Sequence, residues 1–267
     1  MNAEILQIRV HGLAGSSTVV YLPGLHGDWT LIAGLRMELS GRVRLVEFTY
    51  PRTVSWSIAD YAKAIRSALI DREIRCVWLL AESWGSQVAW QILKQESHTP
   101  TEGAKLQIEG LVLAGGFVKH PWSWGPGLLL WLARRTPVKL YRFGLSMYIA
   151  LSAFFNRRQP GVVESLTEFG IRRTVPDREA MLNRLELLAD FDPRSIAQAT
   201  KVPVFHLSGL VDPLIPWPLV RRWLRTNCPG YRQGRICWLA DHAVLASAPK
   251  RSAEYIIGWI GSDTCSS

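Results

Sequence analysis

Along the chain, short and nearly unbroken apolar runs alternate with longer segments in which apolar residues recur every three or four positions. Thr18–Pro23 (TVVYLP), Val43–Phe48 (VRLVEF), Cys76–Ala81 (CVWLLA), Ile108–Ala114 (IEGLVLA), Val202–Leu207 (VPVFHL) and Gly234–Leu239 (GRICWL) are rich in β-branched or aromatic residues. Gly, Pro or polar residues bound most of them, so each reads as a strand. Glu4–Val10 reads as a further strand at a sheet edge. Between these runs, Ser57–Asp71 carries Ile58, Tyr61, Ala62, Ile65, Ala68 and Leu69 on one stripe, the spacing of a packed helix. Trp84–Gln95, Trp217–Thr226 and Ser252–Ile260 follow the same rule. Strand and helix alternating in this way predict an α/β protein, a mostly parallel central sheet flanked by helices. Strands buried on both faces explain why the runs are nearly continuous rather than alternating.

Residues 118–195 break that rhythm. No strand pattern appears between Ala114 and Val202, and the interval holds LLLWLARR, LSMYIALSAFF and REAMLNRLELLADF, all helical in period. A structureless loop of that length inside a compact domain is implausible. The expected organisation is a core formed by residues 1–117 and 196–267, with residues 118–195 inserted as a helical cap or lid.

Charge sharpens this division. The chain of 267 residues carries a net +9, unevenly spread. Residues 1–117 hold 11 basic and 11 acidic side chains, residues 118–195 hold 12 and 7, and residues 196–267 hold 8 and 4. The basic excess of the insertion suits an acidic carrier protein or an anionic membrane surface, and equally suits a plain solvated face. Arg134 with Arg135, Arg157 with Arg158 and Arg172 with Arg173 stand as pairs, which ordinarily face water. No basic helix with base-reading residues is present, so no nucleic acid is expected as a partner. The longest uncharged apolar segment, Phe143–Phe155, has 13 residues. That is too short to span a bilayer, though such a helix can lie in a membrane interface. The N-terminus lacks the pattern of a secretory leader. The four cysteines (Cys76, Cys228, Cys237 and Cys265) show no metal-ligand spacing. Reduced thiols and a cytoplasmic location are the expectation.

Candidate chemistry begins at Ala81-Glu82-Ser83-Trp84-Gly85. Ser83 falls between a buried-type strand and a helix, at a corner where small flanking residues permit a cramped backbone. The pattern is that of G-x-S-x-G, in which the turn lifts a serine hydroxyl beyond the sheet edge, with Ala81 in place of the first glycine. A serine capping a helix N-terminus would look the same locally. A nucleophilic serine also needs a base, an orienting acid and oxyanion donors. Asp212 follows the strand Val202–Leu207, on the edge where open α/β sheets build their sites. His242 follows the next strand. The order Ser83, Asp212, His242 is nucleophile, acid, base. Asp192 and Asp241 compete for the acid's role. Asp192 precedes a proline where a helix cap is the simpler reading, and Asp241 adjoins His242 and would point away from it. Leu22-Pro23-Gly24-Leu25-His26-Gly27 follows the first confident strand, and the backbone N–H groups of Leu25 and Trp84 are the expected oxyanion donors, one such donor being worth about 3 kcal/mol. His26, Trp122, Trp124 and Trp131 are candidates for a pocket lining, with ordinary core packing the competing reading for the aromatics. Glu82 carries no assigned role.

These motifs together resemble the α/β-hydrolase superfamily. YLPGLHGD stands for the oxyanion loop, LLAESWGSQVA for the nucleophile turn, GLVDPLIP for the acid loop and LADHAVLASAP for the histidine loop, so the resemblance spans nearly the whole chain. The chain is most similar to compact carboxylesterase-like members with a helical cap, including the pimeloyl–acyl-carrier methyl ester esterase type. The departures are Ala81 for glycine and Leu25-His26 in a loop that often reads His-Gly-X. The resemblance implies a serine hydrolase that cleaves a carboxylic ester with an apolar acyl part and needs no metal or cofactor. Two alternatives remain: a thioesterase or esterase serving acyl groups on an acidic carrier or coenzyme A, and a non-catalytic binding protein of the same fold. Serine at the turn disfavours relatives that open epoxides or displace halide, which use aspartate there.

Overall fold

The computed structural model describes residues 5–98, 105–155 and 160–263. Seven runs form strands: β1 (Gln7–His11), β2 (Thr18–Leu22), β3 (Arg44–Thr49), β4 (Cys76–Glu82), β5 (Gln107–Ala114), β6 (Val204–Gly209) and β7 (Tyr231–Cys237). They make one sheet in the order β1-β3-β2-β4-β5-β6-β7. Only β1 runs antiparallel, against β3; every other neighbouring pair is parallel. The helices are α1 (Ala33–Leu39), α2 (Ile58–Ile70), α3 (Gly85–His98), α4 (Gly125–Arg135), α5 (Val138–Phe155), α6 (Pro160–Arg172), α7 (Val175–Asp190), α8 (Arg194–Ala199), α9 (Trp217–Asn227), α10 (Val244–Ser247) and α11 (Pro249–Asp263).

The period of two along each strand divides the interior into two layers. On one face, Val20, Leu22, Val77, Leu79, Ala81, Leu111 and Leu113 meet Tyr61 and Ile65 of α2, Val88 and Ile92 of α3 and Leu224 of α9. On the other, Val19, Tyr21, Trp78, Leu80, Val112 and Phe205 meet Leu35 of α1 and Ile256 and Trp259 of α11. The start of α2 is set locally. Ser57 Oγ accepts from the Asp60 N–H at 3.2 Å and Asp60 Oδ2 accepts from the Ser57 N–H at 2.9 Å, which satisfies two helix-end donors reciprocally.

Two elements differ from the pattern reading. β7 begins and ends earlier than Gly234–Leu239, because it is an edge strand hydrogen-bonded only to β6 and Cys237 alone among its residues is buried. Apolar density therefore does not mark it, and Leu239, 91% exposed with φ of 61°, sits in the turn that follows. α1 was not marked by the pattern, since seven residues allow barely two turns of periodicity. Glu4, the first residue of the expected edge strand, lies outside the described residues. α4 to α8 fill the interval between β5 and β6, and Ala197 of α8 packs into the sheet's core. No helix among the described residues is long and apolar enough to cross a membrane.

Topology alone points to one edge of the sheet. From β2 the chain moves outward to β3 and then returns to β4 on β2's other side. Such a reversal opens a crevice beyond the carboxyl ends of the strands, where open α/β sheets take ligands.

Candidate active site

Ser83 is the first of the two residues between β4 and α3, and its φ is 48°. That left-handed conformation is costly for a side chain other than glycine and persists only where its surroundings enforce it. Here the Ser83 N–H donates to the Ala114 carbonyl of β5 at 3.0 Å. Ser86 Oγ donates to the Ser83 carbonyl at 2.6 Å. Gly85 is required for the turn to close, because a Cβ there would stand 2.3 Å from the Leu22 carbonyl oxygen. The strand-to-helix corner is thus pinned between the ends of β2 and β5.

The loop after β7 brings His242 to this corner. Its Nε2 lies 2.8 Å from Ser83 Oγ, and its Nδ1 lies 2.8 Å from Asp212 Oδ2. Gly115, with φ of 56°, seats the loop: a Cβ there would lie 2.8 Å from the His242 carbonyl and 3.4 Å from its ring. Asp212, past the end of β6, has a fully buried side chain. Burial alone would raise its carboxyl. The hydrogen bond and charge of His242, with N–H donors from Ile215 and Leu214 at 2.9 Å, outweigh burial and hold it below the ordinary carboxylate value. A carboxylate at Nδ1 selects the tautomer with its proton on Nδ1 and leaves Nε2 to accept the serine proton. The competing acids are placed elsewhere. Asp192 pairs with Arg194 at the surface, and Asp241 Oδ1 accepts from the Ala243 N–H at 3.0 Å.

The loop after β2 passes beside the serine, with an ideal Cβ on Gly24 standing 3.4 Å from Ser83 Cβ. Its carbonyls are individually engaged. Gly24 accepts from the Gly27 N–H at 3.0 Å, Leu25 from Arg184 Nη1 at 2.8 Å and His26 from Arg173 Nη1 at 2.7 Å. Arg184 also donates to the Pro51 carbonyl, and its own carbonyl accepts from Trp84 Nε1 at 2.8 Å. Arg173 forms a buried ion pair with Asp28. This corrects the reading of the Arg172–Arg173 pair as solvated, since Arg173 turns inward because a buried carboxylate awaits it. Arg134 is bonded to Glu186, and Arg157 and Arg158 lie outside the described residues. Behind the loop, Glu82 is buried and accepts from the Tyr21 hydroxyl, and His26 Nε2 lies 2.8 Å from the Asp28 carbonyl. Burial lowers the His26 pKa from its ordinary value, against the opposing pull of the Glu82 and Asp28 carboxylates. Tyr21 and Asp28 close the two ends of the YLPGLHGD stretch without a role assigned to either, and no motif in the sequence marks Arg184.

No protein-family model matches the sequence, and no curated protein matches it. Solved structures do. An esterase from Thermogutta terrifontis superposes with a TM-score of 0.75 at 17% identity, over 97% of this chain and 93% of that one. An enol-lactonase from Burkholderia xenovorans gives 0.74 at 17% identity, over 96% of each chain. An esterase from Exiguobacterium antarcticum gives 0.70 at 14% identity, over 98% and 100%. The chain has the α/β-hydrolase fold.

Within this α/β-hydrolase fold, Ser83 and His242 open into a cavity of about 330 Å³. Leu25, His26, Trp84, Trp122 and Trp124 line it, as do Leu128, Leu129 and Leu132 of α4 and Leu185 and Leu188 of α7. Most of its wall is hydrocarbon. Trp131 is not in the lining. It falls outside the arc shared by Leu128, Leu129 and Leu132 on α4, and is exposed with the Arg135 guanidinium 4.2 Å above its ring. Among the described residues no cluster of His, Cys, Asp and Glu is arranged to hold a metal, and Cys76, Cys228 and Cys237 are unbridged. Cys265 lies outside them.

Proposed function

We propose that the protein is a serine hydrolase that cleaves a carboxylic ester with an apolar acyl part. The observation that carries this reading is the hydrogen-bonded line from Asp212 through His242 to Ser83, ending at the mouth of a hydrocarbon-walled cavity. In this mechanism Ser83 Oγ attacks the ester carbonyl while His242 Nε2 takes the hydroxyl proton. Asp212 holds the imidazole and stabilises the imidazolium. The N–H groups of Leu25 and Trp84 receive the oxyanion. His242 then gives its proton to the departing alkoxide, and the alcohol leaves an acyl-Ser83. Water, deprotonated by His242, attacks that acyl-enzyme and releases the acid. The helices of residues 118–195 act as the cap, with Leu128, Leu129 and Leu132 against the acyl chain. Engagement of the Leu25 and His26 carbonyls by Arg184 and Arg173 supports this reading, since it holds the oxyanion loop still before substrate arrives.

The test is fluorophosphonate labelling of the wild type and Ser83→Ala, with a p-nitrophenyl ester series and an acyl-coenzyme A thioester as substrates. Labelling of the wild type alone is expected, with kcat falling roughly 10⁴- to 10⁶-fold in the variant. Equal labelling of both proteins, or unchanged turnover, would refute the proposal. A folded wild type that neither labels nor turns over would favour a non-catalytic binding protein. Faster turnover of the thioester would redirect the substrate class and leave the mechanism intact.

A further inference from the structure

α5 carries an apolar stripe that nothing among the described residues covers. Leu140, Phe143, Met147 and Leu151 recur at helical spacing on one side, and each is more than half exposed. The opposite side, with Tyr141, Leu145 and Ile149, lies towards α6, where Ile149 meets Gly170. No side chain described on α5 is buried. The helix therefore turns its apolar stripe to solvent and packs by its other side, an inversion of the arrangement that stabilises an isolated domain. Exposed apolar surface of this extent marks a contact with something else.

Along the sequence of α4 and α5 the charges are of one sign. From Gly125 to Phe155 the sequence contains no Asp or Glu, while Arg134, Arg135, Lys139 and Arg142 are all basic. Arg134 is occupied by Glu186, and Arg135 lies over Trp131. Lys139, one turn before Phe143 at the margin of the stripe, is exposed and makes no ion pair with any described residue, whereas Arg142 lines the groove on the α6 side with Tyr141 and Leu145. An apolar helix stripe bordered by Lys139, in a stretch whose only charged residues are basic, matches the boundary between acyl chains and anionic headgroups.

We propose that α5 docks this protein on an anionic lipid surface, with Leu140, Phe143, Met147 and Leu151 entering the acyl boundary and Lys139 meeting the headgroups. An acidic carrier protein fits less well. Recognition of its carboxylates calls for clustered, available guanidiniums, whereas here two of the four cations are engaged and the apolar stripe dominates. The preceding helix joins this face to the cavity: Leu128, Leu129 and Leu132 of α4 are exposed on its surface and also line the cavity beside Ser83. The docking itself does not depend on the reading of Ser83.

The experiment is flotation of the full chain with vesicles of phosphatidylcholine, alone or with phosphatidylglycerol, at low and high salt. Binding to the phosphatidylglycerol vesicles that weakens with salt is expected. Phe143→Glu/Met147→Glu should lower it by about tenfold or more. Lys139→Glu should lower it by about fivefold or more. Both variants should keep the wild-type Tm and the wild-type hydrolysis of a short, water-soluble ester; if the first loses stability, the second decides. The proposal fails if neither vesicle binds or if binding ignores both variants. Capture by an acidic acyl-carrier protein without vesicle binding would also overturn it, as would a dimer formed through α5 without vesicle binding.

Discussion

α5 and α7 belong to the same stretch between β5 and β6, and they invert the expectation drawn from composition. α5 is the more apolar helix, yet none of its described side chains is buried. α7 is studded with charge, yet it buries Ala180, Arg184, Leu185 and Leu188. Its neighbour Arg173 is buried as well, against Asp28. Hydrophobic content therefore did not decide which helix packs against the sheet. Position of polar partners did: the loop after β2 presents carbonyls at Leu25 and His26 and a carboxylate at Asp28, and the arginines flanking and within α7 satisfy them. Buried charge of this kind is tolerated only when it is paired or hydrogen-bonded.

The sharpest way to break this contrast is Arg173→Met. Removing one partner of a buried pair leaves an uncompensated charge, and about 4 kcal/mol of stability should be lost at neutral pH. In the wild type, burial pushes the Asp28 carboxyl up, but Arg173, His26 and hydrogen bonds from Thr30 hold it below the ordinary value of 3.8. Its contribution to stability is thus fully present above the unfolded-state pKa and is lost as pH falls through the lowered folded one. In the variant burial dominates and the folded pKa rises above the unfolded one, so the variant's penalty is largest at neutrality and shrinks on acidification. Urea unfolding of both proteins at pH 7 and at about pH 4 should show the gap narrowing. A gap that holds constant or widens would mean that Asp28 is not the group left exposed to burial.

Next in size is the pair Leu185→Ala and Met147→Ala. Leu185 is buried on α7, and its truncation should cost about 3 kcal/mol. Met147 lies on the exposed stripe of α5, and its truncation should stay within about 0.5 kcal/mol. Similar losses in thermal unfolding would show that α5 packs against something in the free protein. Arg184→Met follows, at about 2 kcal/mol, because the Leu25 and Pro51 carbonyls lose their donors while a buried charge is also removed. If Arg184 positions the oxyanion loop, kcat should fall by about tenfold or more with a smaller change in KM. A loss confined to stability, with kcat intact in the folded fraction, would reduce Arg184 to a structural support.

These contrasts also show what could be read from the sequence. Ser83 could be placed on a strand-to-helix turn because β4 is buried on both faces and leaves an unbroken apolar run up to the corner. Asp212 and His242 could be placed on the same edge because each follows a strand of a parallel sheet, and parallel strands end together. The extent of β7 was blurred because an edge strand needs few apolar residues. Arg173 and Arg184 were out of reach for a different reason. Their partners lie some 130 to 160 positions away in the chain, and no local period or spacing announces such a contact. Trp131 differs from its lookalikes only in place: Trp122 and Trp124 line the cavity from the segment before α4, whereas the helical phase of α4 turns Trp131 away from it.

That phase yields the smallest expected effect and the finest test of the boundary between cavity and surface. Leu128, Leu129 and Leu132 occupy one arc of α4 and line the cavity, whereas Trp131 projects outside that arc and stacks beneath Arg135. Trp131→Ala should therefore leave the acyl-chain-length profile of a p-nitrophenyl ester series unchanged and shift KM by less than about twofold. Stability should change by no more than about 0.5 kcal/mol, since an exposed cation–π contact is worth little more. Leu129→Ala, two residues earlier and on the lining arc, enlarges the cavity and should move the profile towards longer chains. If Trp131→Ala moves it as much, the indole turns inward when substrate is bound, and the division of α4 into a lining arc and an outer face is lost on binding.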